Sequence, residues 1–374
     1  MKNKQAIKHF LACIGSVLLS LPPHANAQSP TQWHPTDSDL NALAQRFRPY
    51  LKFSTGARQE ARPMTWQRLY EKSRLMNDGK VVLDIGGLAG DNAKKALQYA
   101  DINQVDLAAV EKFEIVIDDQ DQYGEYWPTV EQGDGLYAHI IWLKDVTNTA
   151  TSPELVNIEY WLLFGFNVGY VPAEDHKGDI IGVQVVYDHA SDKLVRAAFS
   201  EHGKTLIMFD LFTAKAPIDA TITGKSDAGK SISQAACKIE VPDRGYYAGG
   251  LGGGPGIFTG GDKHVFLTRD PATNRCEHLA VYIEHGSHEP WPNQSGYYIG
   301  VASHNGDDVS FLPNAVHVLG TGDDPFVLFG GSFGDPAGLT RHKMWLGYNR
   351  QANPADQDPY IDRGHLKWLP AVTP

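Results

Sequence analysis

Side chains of the types that bind metal ions concentrate in two short segments of the sequence. EDHKGD covers residues 174–179 between two β-rich runs, and EHGSHE covers residues 284–289 at the end of another. Loops that leave buried strands present side chains from a rigid support, so we expect both segments to be loops at one working surface. Carboxylate oxygens with imidazole nitrogens suit Zn²⁺ or Mn²⁺, and Ca²⁺ where carbonyls and water complete the site. The predicted ligands of this divalent cation are Asp175, His176, Asp179, His285 and His288.

The same two segments leave three functions open. In the first, a cation would help to bind a surface ligand. In the second, it would serve hydrolysis: Asp179 and His288 would be its ligands, and the base would be Glu174, Asp175 or Glu289. The third alternative is a structural exported protein whose polar loops hold no small molecule. Neither H-E-x-x-H nor C-x-x-C occurs in the chain, and no catalytic residue is assigned.

Aromatic residues follow the second segment. Trp291, Tyr297 and Tyr298, together with Glu289, are the predicted ligand-binding residues, because aromatic rings beside polar groups form platforms for sugars or lipid headgroups. Packing on the face of a sheet is the alternative role for these rings, since most aromatic side chains are buried. The expected partner is therefore a surface ligand, either a lipid headgroup or a glycan.

The stretch GKSDAGKS, residues 224–231, matches the phosphate-binding pattern G-x-x-x-x-G-K-[ST]. A phosphate loop needs a buried strand before it and a helix after it, because backbone N–H groups at the helix N-terminus hold the phosphates. The preceding APIDATIT is a weak strand with a charge in its middle, and no alternating α/β pattern surrounds the motif. We therefore predict a polar hairpin or surface loop here, and no nucleotide.

The first 27 residues have the pattern of a secretory signal peptide. Three lysines precede the apolar run FLACIGSVLLSL, and the small-residue cleavage site ANA ends at Ala27. We predict an exported protein, periplasmic or extracellular, whose mature chain begins at Gln28. No later apolar run approaches the roughly 18 residues that a membrane-spanning helix needs, so no transmembrane segment is predicted.

Acidic side chains outnumber basic ones, with 44 Asp and Glu against 33 Lys and Arg and a net charge of −11. Removal of the signal peptide removes three lysines and makes this charge more negative. An acidic chain without a basic cluster argues against nucleic acid as a partner and against simple electrostatic docking on anionic lipid. Cys237 and Cys276 remain as an even pair, and the sequence leaves open both their pairing and the oligomeric state.

Short β-rich runs separated by turn residues dominate the chain from about residue 110. This pattern predicts a mainly β fold, an antiparallel β-sandwich or jelly roll with a few short N-terminal helices and long Gly-rich loops. The predicted domains are the signal peptide (1–27), an N-terminal α/β segment packed on the sandwich (28–110) and the sandwich itself (111–374). Predicted helices cover residues 40–47, 65–76 and 92–99, and predicted strands cover residues 113–117, 138–143, 158–166, 180–187, 194–199, 205–209, 263–268, 278–284, 297–302, 309–312 and 326–329.

Several of these segments, taken in order, resemble the Vps62-related family. IEYWLLFGFNVGY, EDHKGD and GVQVVYD, followed by AVYIEHGSHEPW, match the family's Y-W-x-F-Y-x-F-N, H-x-G-D-W-E and S-H motifs. RFRPYLKFSTGARQEARPMTW (46–66) is similar to its opening segment and FGGSFGDPAGLTRHKMW (329–345) to its closing segment. The resemblance covers most of the chain after the signal peptide. EDHKGD is also similar to the G-H-R-H-D-W-E heptad of secreted necrosis-inducing proteins, which are β-sandwiches with a cation site.

The resemblance implies a β-sandwich whose loop end carries a cation site. His176 and Asp179 match the family's His and Asp, and residues 287–288 match its Ser-His. Ile180 and Ile181 occupy the positions of its Trp and Glu, so one carboxylate of the family's pattern is missing here. The family has no well-defined general activity. The resemblance therefore supports an exported, toxin-like ligand-binding protein and supplies no reaction.

Overall fold

Eighteen strands and one helix make up the part of the chain that the computed structural model describes. Residues Pro35–Pro374 form one compact unit. The predicted signal peptide, the Gly-rich stretch 249–261 and the predicted elements at 92–99, 297–302 and 326–329 lie outside the described residues, and the predicted division at residue 110 stays a prediction. The described residues are 35–54, 63, 73–84, 113–117, 135–142, 155–167, 176–201, 205–211, 214–226, 228–241, 244–248, 264–284, 288, 290–293, 308–319 and 332–333.

The mainly β fold predicted from the sequence is confirmed. Helix α1 spans Asp37–Arg46, and all the other described elements are strands. They are β1 (Tyr50–Phe53), β2 (Ser73–Asn77), β3 (Lys80–Asp84), β4 (Phe113–Ile117), β5 (Leu136–Trp142), β6 (Leu155–Asn167), β7 (His176–Asp188), β8 (Lys193–Glu201), β9 (Thr205–Asp210), β10 (Ile218–Lys225), β11 (Ser231–Glu240), β12 (Arg244–Ala248), β13 (His264–Arg269), β14 (Cys276–Ile283), β15 (Pro290–Trp291), β16 (Val309–Phe311), β17 (His317–Val318) and β18 (Ser332–Phe333).

Helix α1 begins with a capping box. The Thr36 side chain accepts a hydrogen bond from the backbone N–H of Asp39 (3.2 Å), and the Asp39 carboxylate accepts one from the Thr36 N–H (2.8 Å). The predicted helix at 40–47 is thereby confirmed. The predicted helix at 65–76 is wrong at its end, because residues from Ser73 onward form β2, which pairs with both β3 and β4. Ladder pairing on two sides outweighs the helical propensity of that stretch.

The first sheet closes into a six-stranded barrel in the order β1, β16, β10, β11, β13 and β14. Closure comes from a parallel pairing of β1 with β14, in which Tyr50 lies opposite Ala280 and Phe53 opposite Ile283. The short strand β15 extends the sheet from β14. A closed barrel has no exposed edges, which removes the risk of pairing with other chains. The predicted sandwich or jelly roll is therefore not confirmed, because this sheet closes on itself to form a barrel.

The second sheet, here called the meander sheet, has the order β12, β9, β8, β7, β6, β5 and β17. Consecutive antiparallel pairings join β5 through β9, which confirms the predicted strands at 138–143, 158–166, 180–187, 194–199 and 205–209. Alternation along β6 defines two faces of this sheet. The apolar face carries Ile158, Tyr160 and Phe164, and the polar face carries Asn157 and Glu159. Both faces are buried at this strand.

A third sheet has the order β18, β4, β2 and β3. The β2–β3 hairpin turns at Asp78 and Gly79, which both have a positive φ (50° and 75°). Two residues of positive φ are the requirement of the type I′ turn that matches the twist of paired strands. The described residues contain no helix long and apolar enough to cross a membrane.

Covalent and ionic contacts tie these elements together. Cys237 of β11 and Cys276 of β14 form a disulfide, with Cα atoms 6.0 Å apart, which settles the pairing that the sequence left open. Arg46 of α1 contacts both Asp192, in the β7–β8 turn (2.7 Å), and the buried Glu277 of β14 (2.6 Å). Because Arg46 donates to it, Asp192 has a pKa held well below its usual range. The helix thus bridges the barrel and the meander sheet.

Candidate functional site

The phosphate-loop motif forms the turn of a β-hairpin. Gly224 is the next-to-last residue of β10, Ser231 begins β11, and the two strands pair from Lys225 opposite Ser231 to Ile218 opposite Lys238. Within the turn the Ser226 N–H donates to the Lys230 carbonyl (2.8 Å), and the Gly229 N–H donates to the Ser226 carbonyl (2.8 Å). A strand follows the motif where a phosphate loop needs a helix N-terminus. The predicted polar hairpin is confirmed.

His288 occupies an unusual position in the second predicted segment. It is 3% exposed, and its backbone φ is 56°, in the left-handed region that few residues other than glycine adopt. Its imidazole stacks on the ring of Phe164 with ring centroids 3.9 Å apart and an interplanar angle of 5°. Phe164 lies on the apolar face of β6. The segment after β14 therefore contacts the meander sheet at Phe164 of β6.

The register of the meander sheet brings Asp179 to the same place. Asp179 is the cross-strand partner of Phe164, the residue on which His288 stacks. Directly opposed residues in a sheet have Cβ atoms roughly 5 Å apart. Asp179 and His288, from the two predicted segments, are thus each adjacent to Phe164, the first by strand register and the second by ring stacking. We call this position the Phe164 rung.

The predicted loop conformation of EDHKGD is wrong for residues 176–179, which belong to β7. Strand β6 extends to Asn167, so that β7 has a pairing partner as far as His176. Because side chains alternate along a strand, positions 176 and 179 belong to opposite faces of the sheet. His176 therefore does not share the face on which Asp179 opposes Phe164.

The remaining predicted site residues divide into two groups. Trp291 lies in β15 opposite Tyr282, and its side chain is buried, as expected of a packing residue. Within the described ranges, no group of three or more His, Cys, Asp or Glu side chains is arranged to hold a metal ion. Five predicted residues lie outside the described part of the chain: Asp175, His285, Glu289, Tyr297 and Tyr298.

A buried polar cluster on the meander sheet was not predicted from the sequence. His139, Glu159 and Gln184 are partners in register on β5, β6 and β7. Glu159 contacts His139 Nδ1 through Oε2 (3.0 Å), and its Oε1 accepts hydrogen bonds from Asn157 Nδ2 (3.2 Å) and Gln184 Nε2 (3.4 Å). Both His139 and Glu159 are fully buried. We call His139, Asn157, Glu159 and Gln184 the polar row.

A signal for the polar row was present in the sequence. Glu159 interrupts the apolar run IEYWLLFGF, and His139 interrupts AHIIWL. Charged or titratable residues inside a strand that is buried on both faces are almost never left without a partner. Two such residues on consecutive strands predict each other as partners, although only the register shows that they are opposed.

Burial raises the pKa of Glu159 to about 8, and the hydrogen bond from Asn157 opposes this shift. A carboxyl group whose pKa is raised in the folded state stabilises the fold below its unfolded pKa and loses that contribution as pH rises through the folded pKa. The stability of the protein is therefore expected to fall as pH rises from about 4.5, the ordinary pKa of this group, to about 8, by up to about 1.4 kcal/mol per pH unit.

The change Glu159→Gln, which keeps the shape of the protonated group, should remove this slope. Urea unfolding at a series of pH values measures this slope, and Glu240→Gln, which changes a half-exposed carboxylate, is the matched control that should keep it. His139 is the titratable group in contact with Glu159, so a slope that persists in Glu159→Gln would assign the effect to another group.

No protein-family model matches the chain, and no curated protein matches it at a significant level. A solved structure titled "Toxin fold for microbial attack and plant defense" is similar to 48% of this chain, with 18% sequence identity and a TM-score of 0.22. This chain spans 57% of that chain, and a likeness at that TM-score carries no argument about fold or function. The resemblance to the Vps62-related family stays a prediction from the motifs.

Proposed function

We propose that this is an exported protein that binds a surface ligand, a lipid headgroup or a glycan, through a divalent cation held at the Phe164 rung. The observation that supports the proposal is the meeting of His288 with the strand position of Asp179. The two residues come from segments more than a hundred positions apart, and both segments are rich in residues that bind metals. Export rests on the signal-peptide pattern of the N-terminus.

The conformation of His288 adds support. A non-glycine residue in the left-handed region carries a cost in backbone energy, and such residues concentrate at functional sites. Stacking on Phe164 fixes the plane of the imidazole, so the directions of its two nitrogen atoms are also fixed. An imidazole of fixed orientation is a suitable first ligand of a Zn²⁺ or Mn²⁺ site, and the register places Asp179 opposite the ring on which it stacks. Residues near these two in the chain would supply the other ligands.

Metal content and melting curves test the proposal directly. We expect one equivalent of a divalent cation in the purified protein by elemental mass spectrometry. A chelator should then lower Tm by about 5 °C, because a cation bound only by the folded state stabilises it by mass action. Asp179→Asn and His288→Asn should both lose the cation. Asn is chosen at position 288 because it tolerates a positive φ.

The matched control is His189→Asn, which changes an exposed histidine on the turn at the other end of β7 and should keep the cation. Binding to vesicles of neutral phospholipid and to a glycan panel is then compared with and without chelator. The proposal would be refuted if the purified protein contained no metal, if chelator left its Tm unchanged, and if both site variants still bound the ligand. Turnover of a phosphoester by the loaded protein would instead favour the metal-dependent hydrolase.

A further inference from the structure

In the described part of the chain, two exposed apolar side chains lie next to each other on β3. Val81 is 52% exposed and Val82 is 42% exposed, and the third large apolar residue with such exposure there is Ile218, on barrel strand β10. Single exposed apolar residues are normal on a protein surface, whereas adjacent ones are a mark of a contact surface. Strand β3 is therefore a candidate for contact with another chain.

Strand β3 is also an edge of the third sheet. Among the described strands it pairs with β2 alone, in the order β18, β4, β2 and β3. The outer side of an edge strand offers a row of backbone N–H and C=O groups to a further strand. When a strand is added there, these groups supply affinity and the side chains supply specificity. β3 thus combines a backbone that can pair with exposed side chains that can be buried.

The pairing of β3 with β2 limits what can be added. Leu83 lies opposite Leu75 and Val81 lies opposite Met76, so Val82 is the extra residue of a β-bulge. Bulges and lysines are devices that protect edge strands from unwanted pairing. A strand that joins β3 is therefore expected to be short, and it needs an acidic residue to match the lysine with which β3 begins.

The sequence of β3 itself meets this requirement. It reads K-V-V-L-D, with Lys80 and Asp84 each two positions away from Val82. In an antiparallel pair of two β3 strands centred on Val82, position 80 of each copy is opposite position 84 of the other, and Val81 is opposite Leu83. Opposite charges and apolar pairs across strands are stabilising. A parallel pair in register would place lysine opposite lysine, so the charges favour the antiparallel arrangement.

We propose that β3 is a dimerisation strand, which pairs with β3 of a second copy of this chain about a two-fold axis at Val82. A two-fold contact is self-complementary, as the K-V-V-L-D pattern is. The pair joins the third sheets of both copies into one continuous sheet. The contact is small beside the roughly 1,600 Å² that stable interfaces bury, so we expect a weak dimer with a Kd of about 10–100 μM. The dimer does not rest on the proposed cation.

Sedimentation equilibrium of the purified protein at about 5 to 500 μM tests the proposal, and we expect a dimer to form within this range. Val82→Lys and Val82→Glu each place like charges opposite each other at the axis and should raise the Kd at least about tenfold. An equimolar mixture of these two variants should dimerise again, because lysine then lies opposite glutamate. The control Ile218→Lys changes a similarly exposed apolar residue on β10 and should dimerise like the unaltered protein.

Three results would overturn the proposal. The first is an unaltered protein that is still monomeric at about 500 μM. The second is a Kd within about twofold of normal in both Val82 variants, which would assign the interface to another surface. The third is a mixture of the two variants that stays monomeric, because position 82 would then not lie opposite itself. Should either variant fail to fold, Lys80→Asp, which places like charges opposite each other at positions 80 and 84, replaces it, and an unchanged Kd in that variant counts equally against the proposal.

Discussion

Asp308→Asn is expected to lower the free energy of unfolding by about 3–5 kcal/mol, because it leaves a buried ammonium without its anion. Lys52 and Asp308 are both fully buried, with Lys52 Nζ 3.6 Å from Asp308 Oδ2. Lys52 Nζ also donates to the Thr223 carbonyl (2.9 Å) and lies 5.4 Å from the centre of the Tyr282 ring. These dipoles help to solvate the ammonium, but neither replaces the carboxylate. Urea unfolding of the purified variant measures the loss.

The variant should also acquire a dependence of stability on pH. Burial lowers the pKa of Lys52, and Asp308 opposes that shift, so the pKa should fall further when Asp308 is lost. A lysine with a lowered pKa binds fewer protons in the folded state than in the unfolded state. Stability therefore rises with pH up to the unfolded pKa of about 10.5. We expect Asp308→Asn to be more stable at pH 9 than at pH 7.

Two controls separate the charge effect from a packing defect. Asp219→Asn removes an exposed ion pair with Arg269 and should change stability by no more than about 0.5 kcal/mol. The double change Lys52→Met/Asp308→Leu removes both charges and should recover most of the loss, as apolar replacements of buried ion pairs do. A double variant as unstable as Asp308→Asn would refute the ionic explanation.

Gly224→Ala is expected to cost about 3 kcal/mol, although position 224 is the first glycine of a motif usually associated with phosphate. A Cβ on Gly224 would lie 2.8 Å from the backbone carbonyl oxygen of Asp308 and would also meet the Ser310 hydroxyl. The hydroxyl can rotate away, but the carbonyl belongs to the strand region that closes the barrel. Glycine is needed here because β10 and β16 approach closely. Thermal and urea unfolding measure the effect.

The rest of the motif supplies its own controls. Gly229 has a φ of 72° with open space around it, so Gly229→Ala should cost only about 1 kcal/mol. Lys230 is exposed in the turn, and Lys230→Ala should be neutral within about 0.5 kcal/mol. A functional phosphate loop would respond in the opposite order, with Lys230 the most sensitive position in a nucleotide-binding assay. Nucleotide binding that disappears in Lys230→Ala would overturn the assignment to a structural hairpin.

Local sequence patterns predicted the strands of the meander sheet well. The predicted strand 158–166 lies within β6, in which residues 155–164 are buried on both faces of the sheet. The predicted strands at 263–268 and 278–284 form the β13–β14 hairpin, in whose turn Asp270 Oδ1 accepts hydrogen bonds from the N–H groups of Ala272 and Thr273. Turn chemistry of this kind acts between neighbouring residues, so it can be recognised without knowledge of the fold.

Barrel closure could not be predicted in the same way. Strand β1 has four residues and includes Lys52, which no hydrophobic pattern marks as buried. Its partners are distant in the sequence, and nothing local records the parallel register of Tyr50 with Ala280. The site shows the same limit. Asp179 and His288 were expected at one surface, but the adjacency of both to Phe164 depends on the pairing of β6 with β7 and on one aromatic contact.

The position of β1 in the barrel has a consequence for biogenesis. During synthesis this strand emerges first, yet it pairs with β14 and β16, which are among the last described strands to be made. Non-local pairings form slowly because the loop between the partners must be closed first. The barrel therefore stays open until translation has passed Phe311. A chain truncated before β16 should expose the edges of its two neighbours, β1 and β10, and aggregate. A chain held unfolded until its release would avoid this state.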